Sequence, residues 1–254
     1  MPTQNSIYYY ASKGGSATKP PVVLIHGAGG DHSHFPHTVR RLPGYRIFAL
    51  DLPAHGKSGG LGQQNISAYT WQVLDWMLDL GIPHAVFVGH SMGGAIAQTL
   101  ALDHTEHVLG LGLFGTGARL RVGPELLDKL SRENTFEAAV DLINSGYFSG
   151  ELGLTIPVNV RGKLAKTRPP VVHGDYLACN EFDRMEEIKN IKVPTLVVCG
   201  ENDPMTPPKY SQYLAETIPN AKLELIPKSA HLAMLEQPDL VAKVLENFLD
   251  SIPY

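Results

Sequence analysis

Gly89-His90-Ser91-Met92-Gly93 stands between an apolar run, Ala85 to Val88, and an alanine-rich helical run, Gly93 to Ala101. A short apolar run ahead of a turn reads as a strand, and the serine then falls on a sharp strand-to-helix turn. There its hydroxyl projects from the backbone beside a helix N-terminus, where developing negative charge is favoured. That is a setting for a nucleophile. The pattern alone does not decide this, because Gly56-Lys57-Ser58-Gly59-Gly60 also matches it. Ser58 follows Pro53-Ala54-His55 and precedes glycine-rich sequence without helical periodicity, so it reads as loop. The plain alternative for Ser91 is a serine that merely caps a helix.

Outward from this stretch, short apolar runs alternate with helical patterns, the signature of a mostly parallel sheet covered on both faces by helices. Strands are predicted at Val22 to Ile25, Arg46 to Leu50, Ala85 to Val88, Val108 to Phe114, Thr195 to Cys199 and Lys222 to Ile226, with a preceding hairpin strand at Ile7 to Tyr10. Helices are predicted at Ile66 to Leu80, with Trp71, Leu74 and Leu78 on one face, and at Gly93 to His104, Pro208 to Thr217 and Pro238 to Leu249. The rhythm breaks from about Gly117 to Asn190, where only amphipathic pieces such as Pro124 to Leu130 and Thr135 to Ile143 occur, followed by Pro157 and Pro169-Pro170. The expectation is an α/β core at 1–116 and 191–254 with a helical cap at 117–190. The cap would lie over the carboxyl ends of the strands, where open α/β sheets bind ligands.

With 254 residues, 43% hydrophobic and 18% charged, the chain suits one soluble core with an insertion. A net charge of −4 leaves no basic footprint for nucleic acid. Met1 to Tyr10 has no signal-peptide pattern, and no apolar run approaches the roughly 20 residues of a membrane span, so a cytoplasmic location without a membrane partner is expected. The only cysteines, Cys179 and Cys199, cannot build a disulfide framework and read as structural thiols.

A serine hydroxyl is a weak nucleophile, so it requires a general base, and the base requires a partner that fixes its tautomer. Gly200-Glu201-Asn202-Asp203-Pro204 follows the strand at Thr195, and Pro227-Lys228-Ser229-Ala230-His231 follows the last strand. Parallel neighbouring strands would bring Ser91, Asp203 and His231 to one rim. Glu201 competes with Asp203 for the acid's place, but Asp203 lies further beyond the strand. His231 stands out among 11 histidines by its place after the final strand and before the last helix. An oxyanion needs two aimed N–H donors. Met92, at the start of the helix, and Ala28, in His26-Gly27-Ala28-Gly29-Gly30, are the candidates, while His26 is expected to brace its loop.

These segments together resemble the α/β-hydrolase fold superfamily, in its lid-bearing serine esterase and lactonase-like branch. The resemblance runs from about Pro20 to Leu249, the cap excepted. It is carried by His26-Gly27-Ala28-Gly29, by Asp51-Leu52-Pro53-Ala54-His55-Gly56-Lys57-Ser58, by Gly89-His90-Ser91-Met92-Gly93-Gly94, by Gly200-Glu201-Asn202-Asp203 and by Ser229-Ala230-His231. The order Ser, Asp, His is the one that fold uses. It implies a cofactor-independent carboxylesterase acting on small to medium ester substrates, with the Asp51–Ser58 segment as a structural loop near the pocket. Enol-lactone hydrolysis, carbon–carbon bond hydrolysis and cofactor-free perhydrolysis resemble the chain equally well; a lyase using the triad as a base and a non-catalytic receptor are further alternatives. A dehalogenase or epoxide hydrolase would carry aspartate at position 91.

Three other patterns are weaker. Gly110-Leu111-Gly112-Leu113-Phe114-Gly115 has dinucleotide-binding spacing but lies within an apolar run and opens no helix. His32, His34 and His37 beside Asp31 suggest a metal, yet Pro36 interrupts them and no distant ligand motif completes a set, so a loop and short helix are expected. Arg161, Lys163, Lys166 and Arg168 form a basic run that reads as a solvated face, with a substrate carboxylate as the alternative ligand.

Overall fold

The predicted strands assemble into one sheet, in a computed structural model that describes residues 3–151, 162 and 164–254. The strands are β1 (Thr3–Gln4), β2 (Ile7–Ala11), β3 (Val22–Ile25), β4 (Ile47–Leu50), β5 (Ala85–His90), β6 (Val108–Phe114), β7 (Thr195–Gly200) and β8 (Ala221–Ile226). Their order across the sheet is β1-β2-β4-β3-β5-β6-β7-β8. β1 and β2 form an antiparallel hairpin, β2 runs antiparallel to β4, and the strands from β4 to β8 are parallel. All residues of β3 and β5 are buried, which is why these strands read as continuous apolar runs without alternation.

Among the described residues, the α-helices include α1 (His37–Arg40), α2 (Ile66–Asp79), α3 (Met92–Asp103), α4 (Pro124–Leu130), α5 (Phe136–Ser145), α6 (Pro169–Glu181), α7 (Pro208–Thr217), α8 (Ala233–Glu236) and α9 (Pro238–Asp250). Between β6 and β7 the described residues contribute α4, α5 and α6 and add no strand to the sheet. No helix among the described residues is long and apolar enough to cross a membrane.

Chain order reverses at β3, because β4 lies on one side of it and β5 on the other. The loops after β3 and β5 therefore diverge from adjacent strand tips and open a crevice at the carboxyl edge. Ile25 pairs with Gly89 there, His90 with Phe114 and Gly200 with Ile226, so the segments following β3, β5, β6, β7 and β8 all emerge along one rim.

One local expectation is corrected. Trp71 and Leu78 do not share the buried face of α2 with Leu74; they are 60% and 43% exposed. The buried stripe runs through Ile66, Tyr69, Thr70, Val73, Leu74, Trp76 and Met77, and Trp71 instead sets its ring edge-on to His104. Apolar residues occur nearly all around this helix, so their spacing leaves the choice of face to the sheet beneath. Pro169-Pro170 opens the 13-residue α6. Proline suits the first turn, where its missing N–H would have no intrahelical acceptor.

Candidate active site

Ser91 is the N-cap of α3 and holds φ 52° and ψ −116°. A non-glycine residue in this region costs about 1–3 kcal/mol and persists only where its surroundings over-determine it. Here the chain crosses itself at van der Waals limits. A Cβ on Gly89 would lie 2.0 Å from the Gly93 carbonyl oxygen, and one on Gly93 would lie 2.2 Å from that of Ile25. The Ser91 N–H donates to the Phe114 carbonyl at 2.9 Å, and Thr116 Oγ1 donates to the Ser91 carbonyl at 2.8 Å, which clamps the turn to β6 and the segment beyond it.

Asp203 and His231 meet at this rim. His231 Nδ1 lies 2.9 Å from Asp203 Oδ2. The carboxylate also accepts the N–H groups of Met205 and Thr206 on Oδ1, at 2.8 and 2.9 Å, and the Thr206 hydroxyl on Oδ2 at 2.7 Å. Burial alone would raise the Asp203 pKa, but the neighbouring His231 and the Thr206 donors outweigh it and hold the carboxyl below its ordinary range. A carboxylate facing Nδ1 requires the proton there, which leaves His231 Nε2 with a lone pair. Glu201, the competing acid, is exposed.

Both Ser91 and His231 line a cavity of about 440 Å³, together with Ala28 from the loop after β3. Leu126, Leu142, Ile143 and Tyr147 furnish much of its apolar wall from the segment between β6 and β7. Met92 is fully buried at the first position of α3. Neither the Ala28 nor the Met92 N–H donates to an acceptor among the described residues. Arg121 is the one lysine, arginine or acid lining the cavity among those residues, and its guanidinium is engaged by the Asn180 carbonyl and by Asp183.

Sequence reasoning missed several groups here. His90 is buried, and its Nε2 donates to the His231 carbonyl at 3.0 Å. Burial, with His231 next to it, holds the His90 imidazole well below its ordinary value and therefore neutral. Thr206 braces the Asp203 carboxylate, and Tyr147 lies roughly parallel to the His231 ring, with centroids 6.3 Å apart. Glu236 accepts the Ala230 N–H at 2.6 Å and the Ser149 N–H at 2.8 Å, so the loop bearing His231 is tied to the segment between β6 and β7. Thr206, Tyr147 and Glu236 belong to no short motif, and His90, although inside Gly89–Gly93, carries no sequence signal of this bond. Phe136 and Phe182 are core residues that do not line the cavity.

His26 is neutral by geometry: Nδ1 faces the Gly27 carbonyl and Nε2 accepts the Leu52 N–H. Ser58 bonds the Asp51 carbonyl and the Tyr8 N–H within a loop. The glycine-rich Gly110–Phe114 segment is strand β6. Both cysteines are buried, and Cys199 is pushed up to about 12 by burial, with Asp203 adding to it.

The histidine run diverges in space. His34 is buried and faces the cavity, while His37 is exposed. His32 pairs with Asp51, and Asp31, His32 and Asp51 place one ligand atom each within 4.8 Å of one another. Their donors and acceptors are committed to the loop, since Asp51 accepts His32 Nδ1 and the N–H groups of His32 and Lys57, and Asp31 accepts the Ser33 N–H. Of the basic run, Lys166 and Arg168 are exposed, and Arg161 and Lys163 lie outside the described residues.

Comparison with known proteins gives the same architecture. A solved thermophilic esterase is 35% identical and superposes with a TM-score of 0.82, over 96% of this chain and 93% of its own. The enol-lactonase from Burkholderia xenovorans LB400 is 27% identical with a TM-score of 0.88, over 96% of each chain. The 2-hydroxy-6-oxo-6-phenylhexa-2,4-dienoate hydrolase of Burkholderia cepacia is 27% identical over 90% of this chain and 87% of that protein. The model of the alpha/beta hydrolase family matches residues 22–244, and the chain belongs to that family.

Proposed function

We propose that the chain is a serine hydrolase that cleaves carboxylic esters of small to medium acids through an acyl-enzyme. The observation that carries this reading is the buried Asp203–His231 pair opening, with the strained Ser91, onto one apolar cavity. In this account His231 Nε2 takes the Ser91 proton as Oγ attacks the ester carbonyl, and the Ala28 and Met92 N–H groups receive the oxyanion. Asp203 holds the tautomer and stabilises the imidazolium that forms. Collapse of the tetrahedral intermediate expels the alcohol, protonated by His231. Water, deprotonated by the same imidazole, then attacks the acyl carbonyl and frees the acid and the serine.

The segment between β6 and β7 acts as the cap that shapes the acyl side of the cavity. Its lining supports an uncharged acyl chain, because Arg121 is already paired. The 35%-identical esterase supports ester chemistry, and a lactone, being a cyclic ester, would use the same groups. The test is a panel of p-nitrophenyl esters of graded length, run beside lactones and vinylogous diketones. Turnover of the esters with an acyl-enzyme burst is expected; diketone cleavage without ester or lactone turnover would overturn the reading.

A further inference from the structure

Asp175 is fully buried on α6, and its side-chain hydrogen-bond partners are all far from it in sequence. Its Oδ2 accepts the Gly29 N–H and His55 Nε2, each at 2.8 Å, and its Oδ1 accepts the Tyr69 hydroxyl at 2.6 Å. One carboxylate thus joins α6, the loop after β3, the loop after β4 and helix α2. Gly29 is the residue directly after Ala28, whose N–H is the oxyanion donor in the function proposed above.

The protonation of this cluster follows from its partners. His55 Nδ1 faces the Pro53 carbonyl at 3.0 Å while Nε2 faces Asp175, so both ring nitrogens meet acceptors and both carry protons. Burial opposes this charge, but Asp175 outweighs it and raises the His55 pKa. The His26 ring, 5.0 Å away, is neutral by its own hydrogen bonds and adds no second cation. The Tyr69 hydroxyl, raised by burial and by Asp175, stays protonated as a donor.

Gly29 is also held from its other side. Its carbonyl accepts Thr167 Oγ1 at 3.3 Å, and at φ +63° a Cβ would lie 2.1 Å from Leu164 Cδ1. The Gly30 N–H closes a turn onto the Gly27 carbonyl at 3.1 Å. Within that turn the Ala28–Gly29 peptide can rotate only if the Gly29 N–H leaves Asp175.

We propose that Asp175 is a positioning residue for the oxyanion loop: by holding the Gly29 N–H from α6, it fixes the Ala28–Gly29 peptide and, through Ala28, the adjoining Gly27–Ala28 peptide whose N–H is aimed at the reacting carbonyl. The segment that walls the substrate cavity thereby also sets the loop that stabilises the transition state. This rests on the ester-hydrolase reading, with Ala28 as donor.

The experiment compares wild type, Asp175→Ala and Tyr69→Phe on one p-nitrophenyl ester, with binding of an aryl trifluoromethyl ketone, which forms an oxyanion on Ser91, measured alongside. Asp175→Ala removes the acceptor of the Gly29 N–H and is expected to lower kcat by about 100-fold, the scale of a misplaced catalytic group, with KM within about threefold, and to weaken the ketone by a similar factor. Tyr69→Phe removes a donor from the same carboxylate but leaves the Gly29 bond, so its kcat should stay within about threefold. An Asp175→Ala enzyme that folds and keeps wild-type kcat overturns the inference, as does an equal loss of kcat in Tyr69→Phe. A wild type without ester turnover would instead defeat the functional reading. Should Asp175→Ala fail to fold, hydrogen exchange in the wild type decides: a Gly29 amide as protected as those of α6 supports the tether, and a rapidly exchanging one refutes it.

Discussion

His90 Nε2 donates to the main-chain carbonyl of His231, 3.0 Å away, so the residue immediately before Ser91 is bonded to the loop that carries the imidazole. Serine and histidine are 140 residues apart in the numbering, yet their relative placement is fixed by adjacency on one side and one buried hydrogen bond on the other. His90→Leu removes the donor and leaves a buried carbonyl without its partner. We expect kcat/KM to fall by about 10- to 100-fold. His90→Gln, whose side-chain amide can reach the same carbonyl, should recover most of it; an unimpaired leucine variant would dissociate this bond from activity.

Ser91 itself separates chemistry from stability. Ser91→Ala should lower ester turnover by at least about a thousandfold while keeping the backbone strain, so its unfolding free energy should stay within about 0.5 kcal/mol of wild type. Ser91→Gly should be as inactive but gain up to about 1 kcal/mol, because glycine adopts φ 52° without a Cβ clash. Chemical denaturation of the three proteins reads this directly, and a destabilised glycine variant would contradict the strain argument.

The apolar cavity predicts a chain-length series. Each methylene buried against Leu126, Leu142 and Ile143 contributes about 0.8 kcal/mol, or roughly a fourfold gain in kcat/KM, until the cavity is filled. Leu126→Trp should move the optimum to shorter acyl chains. A flat series in both proteins would mean that the acyl group lies elsewhere.

Stability should fall on both sides of neutral pH, for different histidines. Burial, with His55 beside it, lowers His26 to about 4, so the native state keeps it neutral while the unfolded chain protonates it near 6.5. Its contribution is complete above pH 6.5 and is lost as pH falls toward 4, about 3 kcal/mol in all. Asp203 and Asp51, both held below the ordinary carboxylate value, add further loss at lower pH. His55 has the opposite sign: raised in the native state, its contribution is present below pH 6.5 and is lost as pH rises through its elevated value. Urea unfolding across pH should therefore show an acid limb flattened by His26→Asn and an alkaline limb flattened by His55→Gln. Wild-type stability that is level from pH 6.5 to 4 would be inconsistent with a buried neutral His26.

Much of the architecture was legible because its strands are buried on both faces. Val22–Ile25 and Ala85–His90 show as apolar runs, and the turn chemistry around Ser91 marks where the second one ends. The positions of Asp203 and His231 followed from their loops lying past successive parallel strands. What the sequence could not show is carried by contacts without local pattern. Asp175 meets His55 and Gly29 across separations of 120 and 146 residues, and nothing near Asp175 distinguishes it from a solvated acid. The His90 bond to a main-chain carbonyl leaves no trace in residue type.

Catalysis by this route requires that Ser91 Oγ become acylated. Reaction with a fluorophosphonate, followed by peptide mass spectrometry and residual ester turnover, tests it most directly. One adduct per chain is expected, located on Ser91 and absent from Ser91→Ala, with turnover lost in proportion to labelling. Ester hydrolysis that persists with Ser91 fully phosphonylated, or an active enzyme in which Ser91 remains unlabelled, would contradict it.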